Sequence, residues 1–281
     1  MTTDSKLSKY YRAPKLYVRI PSQGAFNSDM EQSMSGELAI MAMTGRDETM
    51  IKNPDALLNG EAITSVIKSC VPGIQYPEQI PITDIDALLI AIKIASDGEE
   101  HEISARCPKC KTETKGVINL RNILPTAQLL ESEYPVKLDT GVTVYIKPYE
   151  YSMQTEAALA AFDETKTLQN LATEKEMNKE SMSVYNKSFR RMADMSVSLL
   201  ARSIIKVVTP EGEEVSDPNE IFAFVQNVDS KAVKLIDEVL AKINSLNIDK
   251  RVELECSVDT CKNVWTTEIE FNPADFFAVG S

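Results

Sequence analysis

Residues 105–116 read ARCPKCKTETKG, and two residues separate the two cysteines of this stretch, Cys107 and Cys110. A Cys-x-x-Cys turn between two polar, strand-like segments is typical of a metal-binding knuckle, in which both thiolates bind one ion. One knuckle supplies two ligands, whereas a closed tetrahedral zinc site needs four. The stretch therefore predicts a second pair of ligands elsewhere in the chain.

Residues 249–271, DKRVELECSVDTCKNVWTTEIEF, repeat the same order of features. A charged strand leads to Cys256, a short turn leads to Cys261, and a lysine and a second strand follow. The two stretches are predicted to form matching β-hairpins, each with a cysteine pair at its turn. They are the two halves of a predicted zinc-ribbon-like site with four cysteines.

The separation of the two pairs along the chain does not exclude a shared metal. Cys110 and Cys256 are 146 positions apart, and closing a loop of that length costs about 4 kcal/mol. A structural zinc ion supplies about 10 to 16 kcal/mol, which offsets this cost with a wide margin. A site closed by four thiolates has no open position for a substrate. We therefore expect a structural Zn²⁺, not a catalytic one, bound by Cys107, Cys110, Cys256 and Cys261.

Two other interpretations of the cysteines stay open at this point. A redox dithiol needs its Cys-x-x-Cys at the N-terminus of a helix, where the dipole lowers the thiol pKa, but the flanking residues here predict strands. Free thiols without metal are the second alternative, because cytosolic reductants keep cysteines reduced. The fifth cysteine, Cys70, falls at helical spacing with Val66 and Ile67 and is predicted to be a small buried hydrophobic residue. His101, the single histidine, is predicted to be an ordinary strand residue.

The amino-acid composition and the net charge argue against several classes of protein, among them nucleic-acid-binding and membrane proteins. The chain has 281 residues, 43% of them apolar, which is enough for a core without disulfides. A net charge of −12 opposes nucleic-acid binding unless a local basic patch provides it. The lysines near the first knuckle are balanced by glutamates: Lys109, Lys111 and Lys115 against Glu99, Glu100, Glu102 and Glu113. With neither a signal-peptide pattern nor a long apolar run, we expect a soluble cytosolic protein that binds neither nucleic acid nor membranes.

Patterning along the chain predicts an α+β fold in four segments, with helical segments and small β-hairpins. Residues 1–45 are predicted to hold a basic arm and a small β element, and residues 46–125 a helical unit and the first knuckle. Residues 126–249 are predicted to be a mainly helical insertion, and residues 250–281 the second knuckle and a tail. The arm carries five basic residues and one acidic residue: Lys6, Lys9, Arg12, Lys15, Arg19 and Asp4. It is predicted either to dock on an acidic neighbour or to be a frayed terminus.

Helical spacing is clear in two places. Residues 82–98 combine an apolar face with Thr83, which is predicted to cap the helix together with Asp86, before Gly98 ends it. Residues 151–207 contain no glycine and predict an antiparallel pair of long helices broken near Asn178. Large residues recur there at helical spacing: Met182, Tyr185, Phe189, Met192, Met195 and Leu199. This methionine-rich stripe is predicted to be core, with a partner-binding face as the alternative.

Residues 44–74, TGRDETMIKNPDALLNGEAITSVIKSCVPGI, are followed by ITDIDALLIAIKIAS at 82–96 and by the CPKC knuckle. This run resembles the baseplate hub assembly family of T-even-like contractile-tailed phages, and the resemblance covers residues 15–125. It implies a non-enzymatic tail protein located in the virion baseplate, or a transient factor that acts only during assembly of the hub in the host cytoplasm. The resemblance supplies no catalytic residues.

An enzyme is the main alternative to a structural protein. The chain has 10 glycines and one histidine, and it contains neither a GxGxxG nor a GKS or GKT string, so the common phosphate and acid–base signatures are missing. A carboxylate pair that only folding brings together stays open. We expect no catalytic residues, no cofactor other than Zn²⁺, other phage tail proteins as partners, and no small-molecule substrate.

Overall fold

The computed structural model describes residues 7–27, 29–172, 179–269 and 276–277, and for residues 8, 168–172 and 179–181 it describes the backbone alone. The predicted break between the long helices, near Asn178, lies outside the described residues. Lys6 and Asp4 of the predicted basic arm lie outside them as well.

The described residues combine helices with small antiparallel sheets, which confirms the predicted mixture of α and β structure. The helices are α1 Gly45–Ile51, α2 Pro54–Leu58, α3 Glu61–Cys70, α4 Ile82–Asp97, α5 Tyr151–Ala172, α6 Lys179–Arg202, α7 Pro218–Asn227 and α8 Ser230–Asn244. The strands are β1 Leu16–Val18, β2 Leu38–Ile40, β3 Glu100–Arg106, β4 Glu113–Asn119, β5 Tyr134–Lys137, β6 Thr143–Ile146, β7 Ile204–Val208, β8 Glu214–Val215, β9 Arg251–Glu255 and β10 Val264–Glu268. Antiparallel pairs form between β1 and β2, β3 and β4, and β9 and β10, and a four-stranded sheet has the order β5-β6-β7-β8.

Helix α4 is the centre of the first buried cluster. It packs against α3, β1 and β2, and most of its residues are buried because neighbours cover it on several sides. Leu120 and Ile123 after β4, and Ile248 and Ile269 beside β9 and β10, join the same cluster. The bases of both cysteine hairpins are therefore rooted in one core.

The start of α4 differs from the sequence-based prediction. The helix begins at Ile82, Pro81 occupies the N-cap position, and no side chain caps it. Thr83 is buried inside the first turn, and Asp86 binds the side chains of Asn247 and Lys250. The predicted Thr83 cap is wrong because the helix already begins at Ile82, one residue before Thr83, so Thr83 does not stand at the N-cap position. Gly98 does end the helix, with a φ of 101°.

Arg12 anchors the basic arm to the body of the protein. Its guanidinium donates to the carbonyl oxygens of Ala42 (2.5 Å) and Ser69 (2.5 Å) and to the Ser69 hydroxyl (2.7 Å). It also lies 3.5 Å from Oδ2 of Asp47. Asp47 is 5% exposed and accepts hydrogen bonds from Thr44 at the start of α1. A frayed terminus is therefore the wrong description at Arg12, because its donors are matched by buried acceptors.

The four-stranded sheet forms a second buried cluster with α7, α8 and the end of α6. Strand β7 follows directly after α6 and pairs with β6, so the chain returns to the hairpin that precedes the long helices. Gly141 makes the turn between β5 and β6 with a φ of 86°, a conformation that favours glycine. Within residues 126–249 the sheet therefore forms the base from which the long helices extend.

The methionine-rich stripe of α6 is not core in its first half. Met182 is 58% exposed and Phe189 is 70% exposed. Helix α5 meets the other side of α6, where Glu164 is buried and accepts a hydrogen bond from Ser188 and pairs with Arg191. The polar side of α6 faces α5 here, so the prediction that the stripe is buried is wrong for Met182, Tyr185 and Phe189.

This exposure leads to a stability prediction. Phe189→Ala is expected to change the free energy of unfolding by less than about 0.5 kcal/mol, because the ring makes little buried contact. Ile236→Ala, in the second cluster at 0% exposure, is expected to reduce it by about 2 to 5 kcal/mol. Urea denaturation of both variants checks the comparison. A loss above about 2 kcal/mol for Phe189→Ala would mean that the ring is part of a core.

Candidate metal centre

Two antiparallel hairpins carry the four cysteines. In the first, Glu113 of β4 is opposite Arg106 of β3, so Cys107 and Cys110 lie in the turn just beyond the last pair of the ladder. In the second, Val264 of β10 is opposite Glu255 of β9, and the turn between them holds the other pair. Strand β4 packs against β9. Because both hairpins run from the same core to their turns, the two turns meet at the same end.

The four sulfur atoms form one cluster. Cys110 Sγ is 3.5 Å from Cys256 Sγ, and Cys107 Sγ is 3.8 Å from Cys261 Sγ. All four lie within 4.8 Å of one another, close enough to hold a single metal ion. A disulfide would bring two sulfurs to about 2.05 Å, so these are four free thiols. The spacing is close to the roughly 3.8 Å edge of a tetrahedron with metal–sulfur bonds of about 2.3 Å.

The two turns have matching backbone geometry. Lys111, directly after Cys110, has a φ of 63°, and Lys262, directly after Cys261, has a φ of 40°. In each turn the amide of the first cysteine donates to a carbonyl across the hairpin: Cys107 to Thr112, and Cys256 to Asn263, both at 2.9 Å. The Cys-Lys order that recurs in the sequence therefore marks a left-handed residue that turns each chain back into its second strand.

Burial and protonation differ among the four thiols. Cys107 and Cys256 are 0% and 1% exposed, while Cys110 is on the surface. Hydrogen bonds from the hydroxyl and the backbone N–H of Thr112 lower the pKa of Cys110 to about 6. Burial, together with hydrogen bonds to the neighbouring thiols, raises the pKa of Cys261 to about 11. Four adjacent thiols cannot all ionise without a cation, because each thiolate disfavours the next.

Outer contacts complete the cluster, and sequence reasoning did not identify them. The Thr114 hydroxyl lies 3.9 Å from Cys256 Sγ, and the Asn263 amide lies 3.9 Å from Cys107 Sγ. Weak donors at this distance orient sulfur ligands and partly neutralise the negative charge of a thiolate. The only local signal for them is a polar residue shortly after each cysteine pair, which many surface turns share.

Gly116 allows the two hairpins to approach each other. A Cβ at this position of β4 would lie 2.5 Å from Cδ2 of Leu254, a buried residue of β9. Such a distance is well inside van der Waals contact, so any larger residue must push the hairpins apart or move Leu254. The absent side chain therefore helps to bring the two cysteine pairs together.

Gly116→Val is expected to lower the free energy of unfolding by about 1 to 3 kcal/mol, because it overpacks the contact with Leu254. The matched control is Gly45→Ala, where a Cβ would meet nothing within 4 Å; it is expected to be neutral or slightly stabilising. Chemical denaturation of both variants measures the difference. Equal stabilities for Gly116→Val and the wild type would contradict the tight packing of the hairpins.

The remaining residues singled out in the sequence lie apart from the cluster. His101 packs its ring edge-on against Phe276 with centroids 5.0 Å apart, and burial together with the charge of Lys93 lowers its pKa. Cys70 is fully buried in the first cluster, as predicted, and Arg12 donates to its sulfur at 3.6 Å. Burial raises the pKa of this thiol to about 11.

Comparisons with known proteins were made on the whole chain. Residues 25–278 match the family model described as T4 bacteriophage base plate protein. Searches of curated proteins and of solved structures found no match. Within the described residues, no helix has both the length and the hydropathy required to cross a membrane. The matched region covers both cysteine pairs and the helices between them and extends the resemblance far beyond residue 125, so the chain belongs to the T4 bacteriophage base plate protein family.

Proposed function

We propose that the chain is a non-enzymatic protein of the phage baseplate hub and acts through contacts with other tail proteins. The observation that carries this proposal is the family match over residues 25–278, which includes the whole region that supports the four cysteines. A structural role in the tail follows from the family. Its assignment to the hub rests on the run at residues 44–74 and on the helix at 82–96, which resemble hub assembly proteins.

We also propose that Cys107, Cys110, Cys256 and Cys261 bind one structural Zn²⁺ in a zinc-ribbon-like site. The sulfur spacing fits tetrahedral zinc, and four thiolates form a donor set that zinc favours over oxygen-binding cations. When bound, the ion would join the hairpin at residues 100–119 to the hairpin at residues 251–268. All four positions would be filled by protein, so the site favours stiffening of a scaffold over chemistry on a substrate.

The geometry around the site supports protein contacts over catalysis or nucleic-acid binding. His101, the single histidine, packs its ring against Phe276 in an aromatic contact. Strands β3 and β4 carry charges of both signs, with Arg106 opposite Glu113. A mixed surface of this kind on a chain of net charge −12 offers no continuous basic path for a phosphate backbone.

Fractionation of phage particles tests the function. Purified virions and isolated tail intermediates are digested and quantified by mass spectrometry with labelled peptides of this chain. We expect a fixed number of copies per baseplate if the chain is a subunit of the virion. Presence in intermediates with absence from mature particles would identify it as a transient assembly chaperone.

Deletion of the gene provides the complementary test. We expect the loss of complete tails, restored when the gene is supplied in trans. Normal, infective tails in the deletion strain, together with absence of the chain from virions and intermediates, would reject the baseplate role.

A further inference from the structure

The outer face of β1 presents an uncovered tyrosine between two cations. Side chains alternate along a strand, so Lys15, Tyr17 and Arg19 point to one side while Val18 is buried on the other. Lys15 and Arg19 are exposed, and Tyr17 is 57% exposed. We call these three residues the β1 face. Tyrosine and arginine are among the residues enriched in protein interfaces.

The cations of the β1 face have no acidic partner within the part of the chain that the structure describes. Arg12 is the arm residue that binds the body of the protein, whereas neither Lys15 nor Arg19 forms an ion pair among the described residues. When the register of β1 and β2 is extended by one residue, Glu37 lies opposite Arg19. The Glu37 carboxylate, however, accepts a hydrogen bond from Ser35. Two unpaired cations therefore remain on a chain whose net charge is −12.

A complementary surface lies around the β7–β8 turn. Residues 211–220 contain five acidic residues and no basic residue: Glu211, Glu213, Glu214, Asp217 and Glu220. All five are exposed, and one of them, Glu214, forms an ion pair, with Lys206. Beside this segment a cleft of about 590 Å³ is lined by apolar side chains, among them Phe26, Ile205 and Pro218, and by Lys147, Glu150 and Arg202. Lys147 pairs with Glu150, and Arg202 pairs with Glu156. We call the segment and the cleft together the acidic cleft.

We propose that the β1 face of one copy of this chain docks in the acidic cleft of a second copy. The two cations are complementary in charge to the carboxylates of residues 211–220, and the tyrosine ring suits the apolar side chains of the adjacent cleft. Two β1 faces repel each other, and so do two acidic clefts, so the contact joins different surfaces of the two copies. Such a head-to-tail contact builds a ring or a chain of copies.

Nucleic acid is the less suitable occupant of the β1 face. Two cations neutralise few phosphates, and the acidic remainder of the chain repels a polyanion. An acidic surface on a different tail protein would satisfy the same chemistry. The experiment therefore has to identify the partner surface as well as detect association.

The test uses purified full-length protein and charge reversal at both surfaces. Wild-type protein is expected to self-associate in sedimentation velocity, more weakly as salt rises. Lys15→Glu/Arg19→Glu and Glu211→Lys/Glu213→Lys are each expected to weaken association at least about tenfold. An equimolar mixture of the two variants is expected to associate again, because each reversed surface then meets a reversed partner.

Lys52→Glu/Lys234→Glu is the matched control for Lys15→Glu/Arg19→Glu, since it changes the net charge equally at two exposed lysines elsewhere; it is expected to associate like the wild type. Thermal melting confirms that each variant is folded. Monomeric wild-type protein at all concentrations up to about 1 mM, or variants that associate as the wild type does, would overturn the proposal. A photo-crosslinker at Tyr17 is expected to label residues 205–220 of another copy, and labelling of any other surface would also overturn it. These outcomes do not depend on fractionation of tails, so the baseplate role can fail or hold independently.

Discussion

Replacing Cys256 with serine is expected to release the metal and to lower the free energy of unfolding by more than about 3 kcal/mol. Cys256 is 1% exposed, and its sulfur is 3.5 Å from Cys110 Sγ. Without it three thiolates remain, and the ion no longer closes the loop between the hairpins. Elemental analysis is expected to fall from one zinc per chain to near zero. Limited proteolysis is expected to cut within residues 251–268 first.

Cys70→Ala is the matched control for the loss of a cysteine. Cys70 is fully buried but lies outside the four-sulfur cluster, so this variant is expected to keep one zinc per chain despite some loss of packing. A strong chelator added to the wild type should reproduce the effect of Cys256→Ser. Wild-type protein that contains no zinc and gains none on reconstitution would contradict the proposed site.

Asp47→Ala is expected to lower the free energy of unfolding by about 3 to 5 kcal/mol, the second largest effect among the predicted variants. The Asp47 carboxylate is 3.5 Å from the Arg12 guanidinium and 3.0 Å from the Ser69 hydroxyl. It also accepts the Thr44 backbone N–H at 2.7 Å in the capping box of α1. Removal leaves the cation of Arg12 without its counter-charge and removes the acceptor of the Thr44 backbone N–H, one of the two bonds of the capping box. Chemical denaturation measures the loss.

Two further variants separate these causes. Asp55→Ala removes an exposed acidic residue from the first turn of α2 and is expected to cost no more than about 1 kcal/mol. The double replacement Arg12→Met/Asp47→Leu removes both charges and is expected to cost less than Asp47→Ala alone, because no unpaired buried charge remains. If Asp47→Ala lowers the free energy of unfolding no more than Asp55→Ala does, the pairing of Arg12 with Asp47 does not stabilise the fold.

Much of the secondary structure could be predicted from short-range patterns in the sequence. The alternation of β3, β4, β9 and β10 and the cysteine spacing in both turns depend on neighbours within a few residues, so they are readable from the sequence. The apolar run of α4 and the glycine that ends it are readable for the same reason. The division of the chain into four segments stays a prediction. The metal ligands stay a proposal, although the four sulfurs meet at distances that suit an ion.

Other features depend on which surfaces meet, and no local pattern encodes that. Pairing of β6 with β7 joins segments on either side of the long helices into one sheet. The apolar spacing of α6 is equally suited to a core or to a surface, and only the packing of α5 against Ser188 and Arg191 exposes Phe189.

The sequence by itself determined the helices, the hairpins and the presence of two cysteine pairs, because hydrogen bonding and side-chain periodicity act over a few residues. Only the tertiary structure decided that Arg12 binds the body of the protein while Lys15 and Arg19 form no ion pair among the described residues, and that Gly116 leaves room for Leu254 between the hairpins. The physical reason is that contacts between residues distant in sequence depend on the close packing and charge pairing of whole surfaces, which a one-dimensional pattern does not contain.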